Sequence, residues 1–351
     1  MSVLSQDEIQ EIIERVHRRL GEAGERQPGA GLRARAALSA AGEAELGEGI
    51  HPSIDEAVQA ASRAYAGYRR IGLEGRKAIV SSIRASMLEH AESLAEMAHA
   101  ETGLGRVSDK IVKNRLVTAK TPGPEDLELQ AVTGDEGMTV TEFAPFGVVA
   151  AITPTTNPTS TIINNTIAIV SAGNAVVFNV HPNAKRVSAE NIRLLDRAIV
   201  AAGGPENLVT ATPEPTIDSA KELMHHPDVR LLLVTGGPAV VREALRTDKR
   251  AVTAGPGNPP AVVDQTADVE KAGRDIVAGA SFDNNVICTD EKTTIVVDTV
   301  ADRLVRAMGQ HGAYVLKQHE LKKLERVIFT ELGPRASPAT STRPGSARTP
   351  A

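Results

Sequence analysis

Tryptophan is absent from this 351-residue chain, and tyrosine and phenylalanine number only three and five. So few aromatics disfavour the stacking platforms that hold single-stranded nucleic acids. Positive charge is not in excess either. Lys and Arg total 39 against 44 Asp and Glu, a formal net charge of −5, so no broad basic patch and no nucleic-acid partner are expected. No run approaches the roughly 18 uninterrupted apolar residues of a membrane helix, and the N-terminus is polar where a secretory signal would be apolar. These absences predict a cytoplasmic protein, or one enclosed in something cytoplasmic, with no membrane contact and no metal site. Cysteine is reduced to one residue, Cys288. A solitary thiol forms no internal disulfide and argues against a cross-linked secreted domain, which leaves packing, redox reactivity or covalent catalysis.

What surrounds the thiol separates those uses. Cys288 lies in SFDNNVICTDEK, Ser281 to Lys292, with Asp283, Asn284, Asn285, Thr289 and Asp290 about it. A buried, inert cysteine needs an apolar setting, and this loop is a poor one, so the context favours a nucleophile.

Upstream, the chain divides by pattern. Ile9, Ile12, Ile13, Val16 and Leu20 fall on one helical stripe, with acids opening the helix, arginines closing it, Ser5 and Glu8 as a capping box and Gly21 as the stop. Residues 21–49 are rich in Gly, Ala, Glu and Arg without an apolar period and read as a flexible linker. The helix over 1–20 either packs on its own domain or docks elsewhere, and the linker favours docking. From Ser53 to Asn114 the pattern is helical, and LELQAVTGDEGMTVTEFA predicts two strands about a Gly-Asp-Glu-Gly turn. Beyond Pro145 short apolar runs beginning near Val148, Ala175, Leu208 and Val229 alternate with helical stretches. That alternation specifies an α/β fold with a Rossmann-type parallel sheet, whose ligands sit at the carboxyl ends of the strands.

Three loops at those ends are candidates for chemistry. TPTTNPTST places Asn157 between Pro154 and Pro158 at a helix start, either as an amide donor to a ligand or as a turn-forming asparagine. Thr235-Gly236-Gly237-Pro238 is a strand-to-helix turn whose backbone N–H groups suit a phosphate, although it is no GxGxxG fingerprint. AGPGNPP, Ala254 to Pro260, is too rich in Gly and Pro for a helix or central strand and reads as a tight crossing.

In this order and spacing, ITPTTNPTSTIINNT, HPNAK from His181, VTGG, AGPGNPP and SFDNNVIC resemble the aldehyde dehydrogenase superfamily. Within it they are similar to the CoA-acylating acetaldehyde and propionaldehyde dehydrogenases of bacterial microcompartments, as are ETGLGRVSDKIVKN and TPGPEDL. The resemblance runs from about His51 to Glu325. It implies an NAD-binding domain over 50–126 and 144–257, an oligomerisation-type hairpin over 127–143 and a partial catalytic domain over 258–330. Residues 331–351, rich in Pro, Ser, Thr, Ala and Arg, are expected to be a disordered, aberrant tail where the family pattern stops.

Carried over by position, the resemblance implies Cys288 as nucleophile and Asn157 as an oxyanion donor. NAD is expected along Thr155, Val180, His181, Thr235, Gly236 and Gly237, with His181 equally readable as a helix-start residue without ligand contact, and coenzyme A is expected as co-substrate. Where the superfamily has a ribose-contacting Lys, this chain has Asn179, and no Arg or Lys cluster for a ribose phosphate stands out, which favours NAD over NADP. Hydrolytic members carry a Glu base where this chain has Ala254, Gly255, Pro256 and Gly257, so the resemblance implies thiolysis of the acyl-enzyme by CoA. It also implies a small aldehyde as substrate, homo-oligomers, and a shell protein met by residues 1–20 in a microcompartment lumen. The rivals are a non-acylating aldehyde dehydrogenase, a reductase of activated amino-acid carboxylates on the same fold, and an inactive truncated remnant that retains a shell-docking peptide.

Overall fold

The computed structural model describes residues 46–127 and 129–331. The helix expected over 1–20, the linker as far as residue 45 and the tail beyond 331 lie outside them. The helices are α1 Ile54–Tyr68, α2 Leu73–Glu89, α3 Ala91–Thr102, α4 Val107–Lys120, α5 Pro158–Ser171, α6 Lys185–Ala201, α7 Ile217–His225, α8 Pro238–Ala244, α9 Val269–Ser281, α10 Asp298–Gln310 and α11 Gln318–Glu331. The strands are β1 Gln130–Gly134, β2 Gly137–Thr141, β3 Val148–Ile152, β4 Ala175–Asn179, β5 Val209–Ala211, β6 Val229–Thr235, β7 Arg250–Ala254, β8 Pro260–Val263 and β9 Thr293–Val296.

Contacts divide the chain into two compact units. The first, through Pro260 together with Gly279–Thr293, is built on a five-stranded sheet in the order β5-β4-β3-β6-β7. Every neighbouring pair in it is parallel. All five residues of β3 and of β4 are buried, the continuous apolar strand expected where helices cover both faces. Ile162, Ile163, Ile167 and Val170 of α5 enter the same core. Alanines on α1 let it lie close, and Tyr68 at its end donates its hydroxyl to Val170 O at 2.9 Å, so the phenol is buried with its polar end satisfied.

Two expectations shift here. The last linker residues are ordered: Ala211 N donates to Gly49 O at 2.9 Å, and Ile50 is buried against the sheet. Gly49 has φ +85°, and a Cβ there would meet Val209 O. The sequence reading also passed over β7, which pairs with β6 through five residues. Its alternating exposure marks an edge strand, whose short apolar signal merges into the Gly and Pro of the following crossing.

The hairpin forms as expected, β1 antiparallel to β2 with Gly134 opposite Gly137, and both strands are exposed throughout. The second unit comprises Ala261–Ala278 and the residues from Thr294. Its small core joins Val263, Val269, Ile276 and Leu304, and Gly273 of α9 lets Ala307 of α10 approach closely. The sequence assigned Cys288 to a domain over 258–330, whereas by contacts its segment, Gly279–Thr293, belongs with the first unit. A buried ion cluster is the physical reason.

Candidate active site

Strands β3 and β6 are neighbours, yet the chain leaves β3 towards β4 on one side and leaves β6 towards β7 on the other. Loops that diverge from adjacent parallel strands leave a crevice at their carboxyl ends. A cleft of about 920 Å³ occupies it, and Thr155, Val180, His181, Thr235, Gly236 and Gly237 all line it. Two of the three loops singled out by sequence, together with Val180 and His181 after β4, supply these six residues from positions up to 82 apart in the chain.

Several of these residues already have structural duties. His181 Nδ1 faces the N–H of Asn183 at 3.2 Å, a helix-start contact, and burial lowers the pKa of its imidazole, favouring the neutral acceptor form. Asn179 has both amide ends engaged: Nδ2 donates to Thr216 O at 3.3 Å and Oδ1 accepts from Ser219 Oγ at 2.6 Å. It fastens the start of α7, where Thr216 and Ser219 form a reciprocal capping box. The N–H of Gly236 is not open to a ligand, since it donates to Ala254 O at 3.0 Å. Gly237, the N-cap of α8, makes no side-chain cap bond, and helix geometry leaves the first-turn N–H groups of Ala239 and Val240 without intrahelical acceptors.

The cleft also holds cations that the sequence reading did not assemble. Lys221 of α7 and Arg242 of α8 line it with Arg246 just beyond that helix. They are up to 25 positions apart, and the packing of both helices beside β6 brings them to one cleft.

The thiol sits on a second, differently built loop. Asp283, Asn284 and Asn285 have φ of +46°, +57° and +60°, a left-handed run that Asp and Asn tolerate better than other side-chain-bearing residues. Asp283 is fully buried. Its Oδ1 accepts from Arg106 N at 2.6 Å, and its Oδ2 accepts from Lys110 Nζ at 3.1 Å and from Lys113 Nζ. Asp283 N donates in turn to Asp109 Oδ2 at 2.8 Å, and Arg106 Nη2 to Ser281 O at 2.8 Å. Gly105, with φ +67°, is required twice over, because a Cβ there would overlap the Asp283 carboxylate. Burying one carboxylate is strongly unfavourable unless it is paired and hydrogen-bonded. Burial raises the Asp283 pKa, but the bonds from Lys113 and Arg106 N outweigh it and hold the carboxyl below its usual range. Lys113 is lowered, mostly by its own burial, against the pull of Asp283.

From this anchor the loop carries Cys288 outward, and the thiol is exposed. Asn285 Nδ2 donates to Ala280 O at 2.7 Å, and Lys292 N to Pro259 O at 3.2 Å, so both ends of the loop are fastened. Gly257 lies so close that a Cβ on it would overlap the Cys288 carbonyl oxygen. Gly257, at the end of the Ala254–Gly257 segment that carries no carboxylate, therefore lies beside the thiol's backbone. Asp290 is buried with Oδ2 unpartnered, and its desolvation raises its pKa against the pull of Lys292 and Lys113.

Asn157 is the N-cap of α5, but its side chain makes no cap bond. Its Oδ1 instead accepts from Lys113 Nζ at 2.7 Å. Lys113 thus touches both the Asn157 loop and the anchor of the Cys288 loop. Sequence reasoning placed Lys110, Lys113 and Asp283 within family-like motifs but gave them no role, because two lysines three apart on a helix usually mark a solvated face.

Residues 43–340 match the Aldehyde dehydrogenase family. The chain belongs to that family. It is 50% identical over 295 residues to the acetaldehyde dehydrogenase (acetylating) EutE of Salmonella typhimurium, covering 84% of this chain and 62% of that relative. It is 45% identical to a propanal dehydrogenase (CoA-propanoylating) of Citrobacter freundii, covering 81% and 62%. The chain therefore spans less than two thirds of the length of these curated relatives. Among solved structures, a propionaldehyde dehydrogenase from a Clostridium phytofermentans fucose utilisation bacterial microcompartment superimposes with a TM-score of 0.76 at 44% identity, covering 80% of this chain and 65% of that one. A Rhodopseudomonas palustris propionaldehyde dehydrogenase with bound CoA and an acylated cysteine gives 0.76 and 44%, covering 81% and 65%. In this aldehyde dehydrogenase chain the strand-end cleft fits a dinucleotide: it has the volume, first-turn amides without intrahelical acceptors, and Lys221, Arg242 and Arg246 in its lining beside Glu243.

Proposed function

We propose that this chain carries the cofactor cleft and nucleophile of a CoA-acylating dehydrogenase for short aldehydes such as acetaldehyde or propionaldehyde, with NAD as oxidant. The observation that carries this reading is an exposed thiol on a loop fixed by buried charge, with Gly257 against its backbone, the last residue of a segment from Ala254 that offers no base. In this reading the Cys288 thiolate adds to the aldehyde carbonyl, and the Asn157 amide donates to the resulting oxyanion. Bound NAD supplies the hydride acceptor, with Thr155, Val180, His181 and the Thr235–Gly237 turn lining its cleft. The acyl group is then left as a thioester on Cys288. Asp283 is paired with two lysines and is a poor base for water. The CoA thiolate needs little activation, so thiolysis exchanges one thioester for another.

Names of relatives that include a microcompartment enzyme support a place in such a lumen, with residues 1–20 as the address for a shell protein. The exposed hairpin residues Val132, Met138 and Val140 support its use between copies of the chain. The test of the reaction is NADH formation from acetaldehyde with and without CoA. A strong requirement for CoA, with acetyl-CoA as product and no activity in Cys288→Ser, is expected. Equal steady-state rates without CoA, yielding free acetate, would reject thiolysis.

A further inference from the structure

An asparagine at an N-cap ordinarily turns its side chain onto a backbone N–H of the first turn. Asn157 does not. Its amide is held from outside the helix, with Oδ1 facing Lys113 Nζ at 2.7 Å and Nδ2 facing Thr156 Oγ1 at 3.1 Å. The two ends of a primary amide have nearly the same shape, so packing alone hardly distinguishes them. Charge does. An ammonium has three donors and no acceptor, and only the amide oxygen can face it. The contact therefore decides which end points away from α4: Nδ2, the end that carries the hydrogens.

Lys113 is itself fixed. It is nearly buried, and its Nζ also donates to Asp283 Oδ2, inside the loop that carries Cys288. Lys110 shares that carboxylate at 3.1 Å and neutralises it alongside Lys113. The two lysines thus differ in their contacts, since the bond to Asn157 is made by Lys113.

We propose that Lys113 is a positioning residue that sets the orientation of the Asn157 amide, presenting Nδ2 to the oxyanion formed on Cys288, and joins that amide to the thiol loop through Asp283. The proposal rests on the reading of Cys288 as nucleophile and Asn157 as oxyanion donor. It assigns Lys113 no proton transfer and no contact with substrate.

The experiment uses the chain as it is, with p-nitrophenyl acetate as probe. The Cys288 thiolate adds to the ester carbonyl, the C=O electron pair moves to oxygen, and collapse expels p-nitrophenolate, leaving an acetyl thioester. No oxidant is needed, so the cofactor step is bypassed. Asn157→Ala should slow the Cys288-dependent burst about a hundredfold and Lys113→Met about tenfold. Lys113→Met should add little in the Asn157→Ala background. Lys113→Arg, still a pure donor, should keep most of the rate, whereas Lys113→Gln, which can present either end of its own amide, should fall about as far as Lys113→Met. The Arg and Gln forms keep a polar group on Asp283, so their contrast stands even if Lys113→Met does not fold. Full rate in Lys113→Gln, equal loss in Arg and Gln, or an undiminished Lys113→Met effect without the Asn157 amide would each overturn the proposal while leaving the site intact. No Cys288-dependent burst in the parent chain, or a normal one in Asn157→Ala, would instead sink the underlying reading of the site, and the proposal with it.

Discussion

Buried charge is treated in two ways among the residues of the first unit. Asp283 is neutralised by neighbours, and its carboxyl lies low. Asp196 on α6 has one backbone donor, Asn207 N at 2.7 Å. Burial dominates there and pushes its pKa up to about 6, with Glu206 and Glu48 adding to the rise. A carboxyl that holds its proton more tightly when folded contributes stability that is full below its unfolded value near 3.8 and is lost as pH rises through about 6. Asp196→Asn keeps the oxygen that faces Asn207 and removes the titration. Its stability relative to the parent should therefore be greater at pH 7.5 than at pH 4.5, by about 2 kcal/mol. Urea midpoints at the two pH values measure this, and an equal gap at both would show that Asp196 titrates normally. Neither acid was legible in the sequence as special. Cys288 and Asn157 were, because a lone thiol among polar residues and an asparagine between prolines are chemically conspicuous, whereas a carboxylate becomes so only through what it is packed against.

Strands and helices were more readable than the ties between them. Val148–Ile152 and Ala175–Asn179 showed themselves as unbroken apolar runs because both faces are covered. The hairpin was readable from its turn. β7 was not, since an edge strand has only one apolar side and Ala254 leads straight into glycine and proline. The AGPGNPP crossing after it gains a use that its composition did not disclose. Gly257 is the space into which the Cys288 carbonyl fits. Gly257→Ala should displace the thiol loop while sparing the sheet, lowering acylation of Cys288 at least tenfold with little change in the main unfolding transition. Thiol acylation read by mass spectrometry, alongside circular dichroism melts, checks both halves. A normal acylation rate would mean that the loop accommodates the methyl group without cost to its geometry.

Across the whole molecule, the parallel sheet and a ligand site at its strand ends followed from alternation of strand and helix, but the strand order and the division into units did not. The thiol segment joins the first unit through Asp283, a long-range contact with no local periodicity to announce it. The stripe Ile9, Ile12, Ile13, Val16 and Leu20 belongs to this scale too, since about thirty residues separate it from the first helix of the fold. Five aliphatic side chains at roughly 1.5 to 3 kcal/mol each, less the cost of association, suffice for modest docking. Residues 1–20 fused to a fluorescent reporter should gather it into microcompartments, and Ile12→Glu with Val16→Glu should disperse it. Diffuse fluorescence from the unaltered fusion in cells with intact cognate shells would refute the address. The Asp283 clamp also has a history in time. Its carboxylate lies 173 residues after Lys110 and 170 after Lys113, so at ribosomal speed α4 is made roughly 10 to 30 s before its counter-charge exists. The nascent chain therefore cannot close the Asp283 clamp until nearly all of the first unit has been synthesised.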